Sequence, residues 1–225
     1  MNITLKNKDT KYTIDEFCQI IRKLRAPDGC IWDREQTHKS IRRDFLEECY
    51  EAVEAIDLEN SDMLREELGD VLLQVVFHAI IEEEKGHFDF SDVIDDVAKK
   101  MVIRHPHVFG EVEVNNMDEL LTNWDNIKKS QKGQQSDKEL LLSISKAMPS
   151  LMRCQKVQKK ASKLGVEMHE NPGEELLNLI EGDINSESIG KMLSAVTCLA
   201  RNNGIDAEEA LSKHIDSFIE NDINE

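Results

Sequence analysis

Apolar residues recur every three or four positions along most of this chain, which is the spacing of a buried helix face. The clearest case begins at Thr13, which with Glu16 forms the Thr-x-x-Glu pattern of a capping box. Before the turn Pro27-Asp28-Gly29, the apolar positions of this segment are Ile14, Phe17, Ile21 and Leu24. The pattern predicts a first helix between Thr13 and that turn.

The same spacing predicts eight more helices, four of them opened by a candidate cap residue: Thr37, Ser61, Ser91 and Asn116. They cover residues 37–58, 61–85, 91–104, 116–129, 149–164, 173–180, 186–202 and 206–220. No alternating strand pattern of any length occurs, so the sequence predicts an all-α fold. The polar stretch 133–137 is interpreted as a linker between a domain at 1–132 and a domain at 138–225.

Composition agrees with an all-α fold and narrows the possible ligands. The 225 residues include 40% hydrophobic but only 5% aromatic side chains, with 4 prolines and 10 glycines. A formal net charge of −17 makes nucleic acid and anionic membranes unfavourable partners. If the ligand is a polyphosphate, a cation must bridge it to so acidic a protein.

The chain shows no signal for export, membrane insertion or disulfide bonding. Its first residues lack the apolar segment of a signal peptide, and its longest apolar run is far shorter than a membrane span. The five cysteines are odd in number and none belongs to a Cys-x-x-Cys pair, which argues against a disulfide framework or a zinc site. We therefore expect a cytoplasmic protein.

Two pairs of carboxylates lie on consecutive predicted helices. Glu48 and Glu51 are three residues apart, as are Glu67 and Asp70, so each pair occupies one helix face. The loop between the helices is short, which predicts an antiparallel hairpin with the two pairs at one level. Four hard oxygen ligands facing each other suit Mg²⁺ or Mn²⁺.

Other interpretations of the acids differ in strength for the two helices. Taken alone, Glu48 and Glu51 lie opposite an apolar stripe and fit a solvated face. The helix after Asp70 is apolar nearly all round, which predicts burial and therefore a buried surface at Asp70. A ferritin-like di-iron site would need Glu-x-x-His, and neither pair has a histidine at that spacing.

The carboxylate motif resembles that of a known enzyme family. Glu-Glu-x-x-Glu at 47–51 followed by Glu-x-x-Asp at 67–70 is similar to the MazG-type all-α nucleoside triphosphate pyrophosphohydrolases. Three further stretches resemble this family: LRAPDGCIWDREQTH at 24–38, RHPHVFGEV at 104–112 and NWDNIKK at 123–129. The likeness covers roughly residues 14–132, and residues 150–161 resemble the start of the family's second domain. Ile31 and Ile103 depart from the family pattern, which usually has Pro and often a basic residue there.

The resemblance implies a dimeric domain of the four-helix-bundle type that hydrolyses a nucleoside triphosphate to the monophosphate and pyrophosphate with Mg²⁺. It assigns metal binding to four carboxylates: Glu48, Glu51, Glu67 and Asp70. It makes Glu47 a candidate base or outer group, and it places Arg104 and Lys128 against the outer phosphates with Lys129 adjacent. Trp32 is a candidate for stacking on the base, although a tryptophan in a loop is more often a packing residue.

A different class of function remains open from the sequence. The chain would also fit a non-catalytic helical scaffold or interaction protein whose acids form a solvated face. The base, the sugar and the phosphorus attacked by water are not set by the sequence.

The second half contains an echo of the carboxylate motif. GEELLNLIEGD at 173–183 resembles LEECYEAVEAI at 46–56, but Asn178, Ser188 and Lys191 stand where Glu51, Glu67 and Asp70 stand. A cation at the last position repels a metal ion. We interpret 138–225 as a degenerate helical repeat without a metal site, the alternative being chance similarity between amphipathic helices.

Overall fold

Every regular element in the described part of the chain, residues 5–7, 9–132 and 136–222, is a helix. The computed structural model therefore confirms the all-α prediction. The chain divides into two compact units, Met1–Ile127 and Lys128–Glu225. This division falls inside a helix, before the predicted end of the first domain at residue 132.

The first unit is built on a helical hairpin, and two further helices pack against the longer helix of that hairpin. Its elements are α1 (Ile14–Arg25), α2 (Ile31–Glu35), α3 (Arg42–Asp57), α4 (Ser61–Glu84), α5 (Phe90–Arg104), α6 (Pro106–Phe109) and most of α7 (Met117–Lys132). The hairpin consists of α3 and α4, and α4 also packs against α1 and α5. Glu59, in the tight loop of the hairpin, adopts a positive φ of 51°.

The hydrophobic core of this unit is centred on the C-terminal half of α4. The nine buried residues of the core cluster come from α1, α4, α5 and the residue before α3: Cys18, Ile21, Ile41, Val76, Phe77, Ala79, Ile80, Ile81 and Phe90. Burying a valine, isoleucine or phenylalanine side chain contributes about 1.5–3 kcal/mol. The core therefore fixes α4, the helix that carries Glu67 and Asp70.

The start of α1 follows the sequence prediction and the start of α3 does not. The Thr13 side chain accepts a hydrogen bond from the Glu16 N–H in a capping box. Thr37 does not cap α3, which begins at Arg42. The Thr37 N–H donates instead to Ser40 Oγ at 2.9 Å, so these residues form a separate turn before the helix.

The caps of α4 and α5 lie one or two residues before the predicted ones. Asn60, not Ser61, caps α4 and accepts a hydrogen bond from the Met63 N–H at 3.2 Å. Asp89, not Ser91, caps α5. In both cases a residue that caps as well as serine stands earlier in the chain and takes the role.

The second unit contains a second helical hairpin. Its remaining elements are α8 (Asp137–Leu142), α9 (Ser150–Lys163), α10 (Pro172–Glu181), α11 (Ser186–Asn202) and α12 (Ala207–Asp222). The hairpin is formed by α10 and α11, and α9 packs against both α11 and α12. Asp137, predicted as the end of the linker, is the first residue of α8, whose cap is Ser136.

A buried polar network joins α9 to α11. The Gln158 side chain is 1% exposed, and its Nε2 donates to the Ser194 carbonyl at 2.9 Å and to Thr197 Oγ1 at 3.2 Å. Thr197 is fully buried as well. The Nε2 of Gln158 is thus satisfied, while its Oε1 has no hydrogen-bond partner in the described part of the chain. The bonds of Nε2 join the two helices at one level.

No helix of the described ranges is long and apolar enough to cross a membrane. All five cysteines are free thiols.

The C-terminal end of α4 carries a carboxylate with three donors. Glu82 accepts hydrogen bonds from Lys85 Nζ at 2.6 Å, from His87 Nδ1 at 2.6 Å and from His38 Nε2 at 2.5 Å. These donors lower the pKa of Glu82 to about 2. His78 lies behind His38, Nδ1 to Nδ1 at 2.7 Å, and burial lowers its pKa.

Replacing Glu82 by Gln is expected to lower the melting temperature at pH 7 and to have less effect in acid. The folded pKa lies below the ordinary value near 4.5, so the carboxylate stabilises the fold above that pH. This contribution is lost as the pH falls from about 4.5 towards 2. Thermal unfolding of wild type and Glu82→Gln across this range measures it, with Glu54→Gln, an exposed acid on α3, as control. A melting difference that stays constant with pH would contradict the assignment.

Candidate metal centre

Three of the four predicted ligands meet across the α3–α4 hairpin. Glu48 on α3 and Glu67 and Asp70 on α4 each place one carboxylate oxygen within 4.8 Å of those of the other two. Helical spacing puts Glu67 and Asp70 on one face, and the short loop after α3 brings Glu48 to their level. The predicted convergence of carboxylates from both helices is therefore present.

The pKa values of two of these carboxyls, Glu48 and Glu67, are raised by burial and by the neighbouring acids. Burial, followed by the charges of Asp70, Glu51 and Glu67, raises the pKa of Glu48. Burial, followed by the charges of Glu51, Glu66 and Asp70, raises the pKa of Glu67. Like charges held this close favour a protonated carboxyl or a bound cation.

Glu51 and Glu47 stand in different relations to this cluster. The charge of Glu51 contributes to the raised pKa of Glu48 and of Glu67. Glu51 does not belong to the group of three whose oxygens lie within 4.8 Å, so the structure brings together three of the four predicted ligands. Glu47 is exposed on α3 and lies outside the group of three.

The surroundings of the cluster differ from the prediction in one respect. The expected burial of α4 holds for its C-terminal half, but Leu68 is 54% exposed and Leu72 is 38% exposed. Asp70 is accordingly half-buried. The apolar pattern does not show which half of a long helix is covered by its own chain.

The donor set fits a divalent cation that prefers oxygen. Glu48, Glu51, Glu67 and Asp70 offer only carboxylate oxygens, the ligands that Mg²⁺ and Mn²⁺ favour. Among the described residues, the three within 4.8 Å of one another form the only group of three or more histidines, cysteines or acids placed for a metal ion.

The other predicted site residues lie on three separate elements. Trp32 is on α2 and is 60% exposed. Arg104 is half-buried as the last residue of α5. Lys128 and Lys129 belong to α7, but their side chains lie outside the described part of the chain.

Sequence reasoning missed the helix that carries Trp32 and the arginine that holds it. The segment 31–35 is too short for an apolar period to appear, so α2 was not predicted. A signal was present in Glu82, Glu83 and Glu84, three acids in the last turn of α4. Negative charge is unfavourable at a helix C-terminus, so such a run indicates cationic partners from elsewhere. One of those partners is Arg25.

In the second unit, acids near the positions of the motif are paired with basic side chains of the same unit. The Glu175 carboxylate, which stands where Glu48 stands, is bonded to His169 Nδ1 at 2.6 Å. Lys191, which stands where Asp70 stands, donates to Glu187 on its own helix at 2.6 Å. The shorter hairpin of α10 and α11 thus satisfies its charges with protein groups.

The comparisons with known proteins agree with this geometry. The family model described as MazG nucleotide pyrophosphohydrolase domain matches residues 36–109, which include all four carboxylates. The chain is 39% identical over 222 residues to the nucleoside triphosphate pyrophosphohydrolase/pyrophosphatase MazG of Thermotoga maritima, covering 95% of this chain and 85% of that protein. It is 37% identical over 220 residues to the nucleoside triphosphate pyrophosphohydrolase of Escherichia coli, covering 91% and 84%.

The α3–α4 hairpin with its carboxylates places the chain among the all-α nucleotide pyrophosphohydrolases. Within this class, the chain belongs to the MazG family. The resemblance drawn from the motifs is thereby confirmed. A further relative, the uncharacterized protein YabN of Bacillus subtilis, is 49% identical over 155 residues, which cover 68% of this chain and 32% of that protein.

Proposed function

We propose that this protein hydrolyses nucleoside triphosphates, with ribose or deoxyribose, to the monophosphate and pyrophosphate in a Mg²⁺-dependent reaction that clears nucleotide pools. The carrying observation is the convergence of carboxylate oxygens of Glu48, Glu67 and Asp70 within 4.8 Å. Burial and neighbouring acids raise the pKa of Glu48 and of Glu67. Membership of the family supports the reaction. So do the names of the two relatives of which this chain covers more than four fifths.

Each part of the reaction has candidate residues in this chain. Glu48, Glu51, Glu67 and Asp70 would hold Mg²⁺ or Mn²⁺. Such an ion, when bound, screens the triphosphate, orients it and makes a bound water more acidic.

The remaining roles fall to residues outside the four ligands. Glu47, exposed beside Glu48, is the candidate to accept the proton of the attacking water. Arg104 and Lys128 would contact the outer phosphates, with Lys129 beside them, because guanidinium and ammonium groups bind phosphate oxygens well. Trp32 would stack on the base.

We propose that the active form is a homodimer. One face of α3 carries four exposed apolar residues at helical spacing: Leu46, Tyr50, Val53 and Ile56, between 45% and 58% exposed. Leu68 and Leu72 on α4 are exposed as well. Exposed apolar residues gathered on one helix face are typical of an interaction site. A second copy pairing there would also cover the N-terminal half of α4 beside the ligands.

We further propose that the second unit is a degenerate copy of the first hairpin with a structural role. Both units contain an antiparallel pair of helices, and the matched carboxylate Glu175 is bonded to His169. A neutral Asn178, a buried Ser188 and the cationic Lys191 replace three of the four ligands. Three of the four carboxylates of the motif are therefore missing from the second hairpin.

One assay tests the proposed reaction against the scaffold alternative. The protein is incubated with each of the eight common ribo- and deoxyribonucleoside triphosphates, with Mg²⁺ or Mn²⁺, and pyrophosphate is measured separately from orthophosphate. We expect pyrophosphate and monophosphate in equal amounts with at least one nucleotide, and no release after the metal is chelated. Absence of pyrophosphate with all eight nucleotides and both metals would instead favour the non-catalytic scaffold.

A further inference from the structure

The last residue of α1 is an arginine with a buried side chain, and all three of its guanidinium nitrogens donate hydrogen bonds. The Arg25 side chain is 5% exposed, and its Nε and Nη2 donate to the two carboxylate oxygens of Glu84, each at 2.7 Å. The guanidinium also lies over the Phe77 ring, 5.1 Å from its centroid. Bidentate pairing and stacking are the two interactions for which arginine is better suited than lysine.

The remaining nitrogen of Arg25 holds α2. Nη1 donates to the carbonyl oxygens of Asp33 at 2.6 Å and Gln36 at 3.1 Å, at the C-terminal end of that helix. A helix of five residues has no stability of its own, and its last carbonyls need donors. One buried side chain therefore links α1, α2 and the end of α4.

The other side of α2 presents an aromatic ring to solvent. Trp32 is 60% exposed and its neighbour Ile31 is 68% exposed. The Gln36 side chain donates to the Trp32 carbonyl at 2.9 Å, so the backbone of the tryptophan is also fixed. An exposed tryptophan on a backbone that is held in place is suited to binding, because little order is lost when a flat ligand stacks on it.

A neighbouring ion pair provides an internal comparison. Arg22 and Glu83 join the same two helices, α1 and α4, at 2.9 Å. In the described part of the chain the recorded hydrogen bonds of Arg22 go to Glu83, and none goes to α2. Joining α1 to α4 is therefore separable from holding α2.

We propose that Arg25 is a positioning residue that holds α2 so that the ring of Trp32 is oriented for stacking on the base of the nucleotide. The part of this inference that concerns the nucleotide rests on the proposed function. The part that concerns the orientation of α2 does not.

The orientation is tested by fluorescence in a Trp124→Phe background, where Trp32 is the remaining tryptophan of the two. We expect Arg25→Gln to lower the steady-state anisotropy of Trp32 and to increase its quenching by acrylamide. Arg25→Lys keeps the positive charge but cannot form the bidentate pair, so its anisotropy and quenching should lie between those of the background and Arg25→Gln. Arg22→Gln should leave both signals at the background value. Unchanged anisotropy in both Arg25 variants would overturn the proposal.

The consequence for the substrate is tested by steady-state kinetics in the full chain. We expect Arg25→Gln to raise KM about 10-fold, the loss of roughly one stacking contact, with kcat within about 3-fold. Trp32→Ala should raise KM by a similar factor, and the double variant should not exceed the larger single effect. Arg22→Gln should leave KM unchanged.

The outcomes separate the two parts of the inference. Effects of Arg25→Gln and Trp32→Ala that multiply would show that Arg25 does not act through Trp32. An equal rise in KM for Arg22→Gln would show a general loss of packing, and it would overturn the positioning role. If no nucleotide is hydrolysed the proposed function fails, while the anisotropy measurement still decides whether Arg25 holds α2.

Discussion

Glu51→Gln and Asp70→Asn are each expected to abolish turnover without unfolding the protein. Each change removes one negative charge from the cluster and so weakens binding of a divalent cation. We expect kcat/KM to fall by at least about 100-fold, which corresponds to about 2.7 kcal/mol of transition-state stabilisation.

The folded state should tolerate these changes. Burial and then the charges of neighbouring acids raise the pKa of Glu48 and of Glu67, so the acids repel one another when no cation is bound. Neutralising Glu51 or Asp70 relieves part of that repulsion. Without metal, the variants should therefore melt at the wild-type temperature or above it, whereas Mg²⁺ should raise the melting temperature of the wild type alone.

Calorimetric titration with Mg²⁺ and the pyrophosphate assay together measure this prediction. The matched control is Glu54→Gln, which removes the same charge from an exposed position one turn further along α3. The control should bind Mg²⁺ and turn over like wild type. Activity within a few-fold of wild type in Asp70→Asn would contradict the ligand assignment. Mg²⁺ binding that persists in a Glu51→Gln/Asp70→Asn double variant would contradict the proposed lack of a metal site in the second unit.

Helix positions in this chain were predictable because most helices are long enough to show their apolar period. The hairpin of α3 and α4 followed from two apolar periods and a short loop, and it brought Glu48 to the level of Glu67 and Asp70. The loops were less predictable, because a serine or threonine near a helix start competes with other acceptors nearby. Asp89 precedes Ser91 and takes the capping role.

The short helices and the contacts of the loops were beyond sequence reasoning. The helices α2 and α6 contain five and four residues, less than the window in which a period can be recognised. The hydrogen bond from Arg25 to α2 is accepted by a backbone carbonyl. Every residue has such a carbonyl, so the residue types in the sequence do not indicate this bond. The carboxylate cluster was predictable. The spacing of the four acids determines which face of each predicted helix they occupy, and the short loop sets the two helices side by side.

Exposure was the property that the apolar pattern predicted least well. The stripe of Leu46, Tyr50 and Val53 lies opposite the acids of α3, as the spacing implies, yet all three side chains are exposed in the single chain. A period in the sequence shows that a face is apolar, and it does not show whether the same chain or a second copy covers it. The proposed homodimer would cover this face, and a direct test is available.

Val53→Glu and Leu72→Glu are each expected to convert the proposed homodimer to monomers and to abolish most of the activity. Val53 on α3 is 52% exposed and Leu72 on α4 is 38% exposed, so each is free of the chain's own core. A carboxylate buried at the centre of an apolar interface without a partner costs several kcal/mol, enough to weaken association by about 100-fold or more. Activity should fall when the dimer dissociates, because the family resemblance implies that paired bundles complete the site.

Sedimentation equilibrium and the pyrophosphate assay over a range of protein concentrations measure both effects. The matched control is Val166→Glu, the same change at a residue that is 58% exposed and belongs to the second unit. The control should remain dimeric and active, and all variants should keep wild-type helix content by circular dichroism. A dimer that survives both substitutions would assign the interface to another surface, and a wild type that is monomeric at all concentrations would contradict the homodimer. Recovery of activity at high concentration of Val53→Glu would show that the loss arises from dissociation, since mass action restores the dimer without changing the carboxylates.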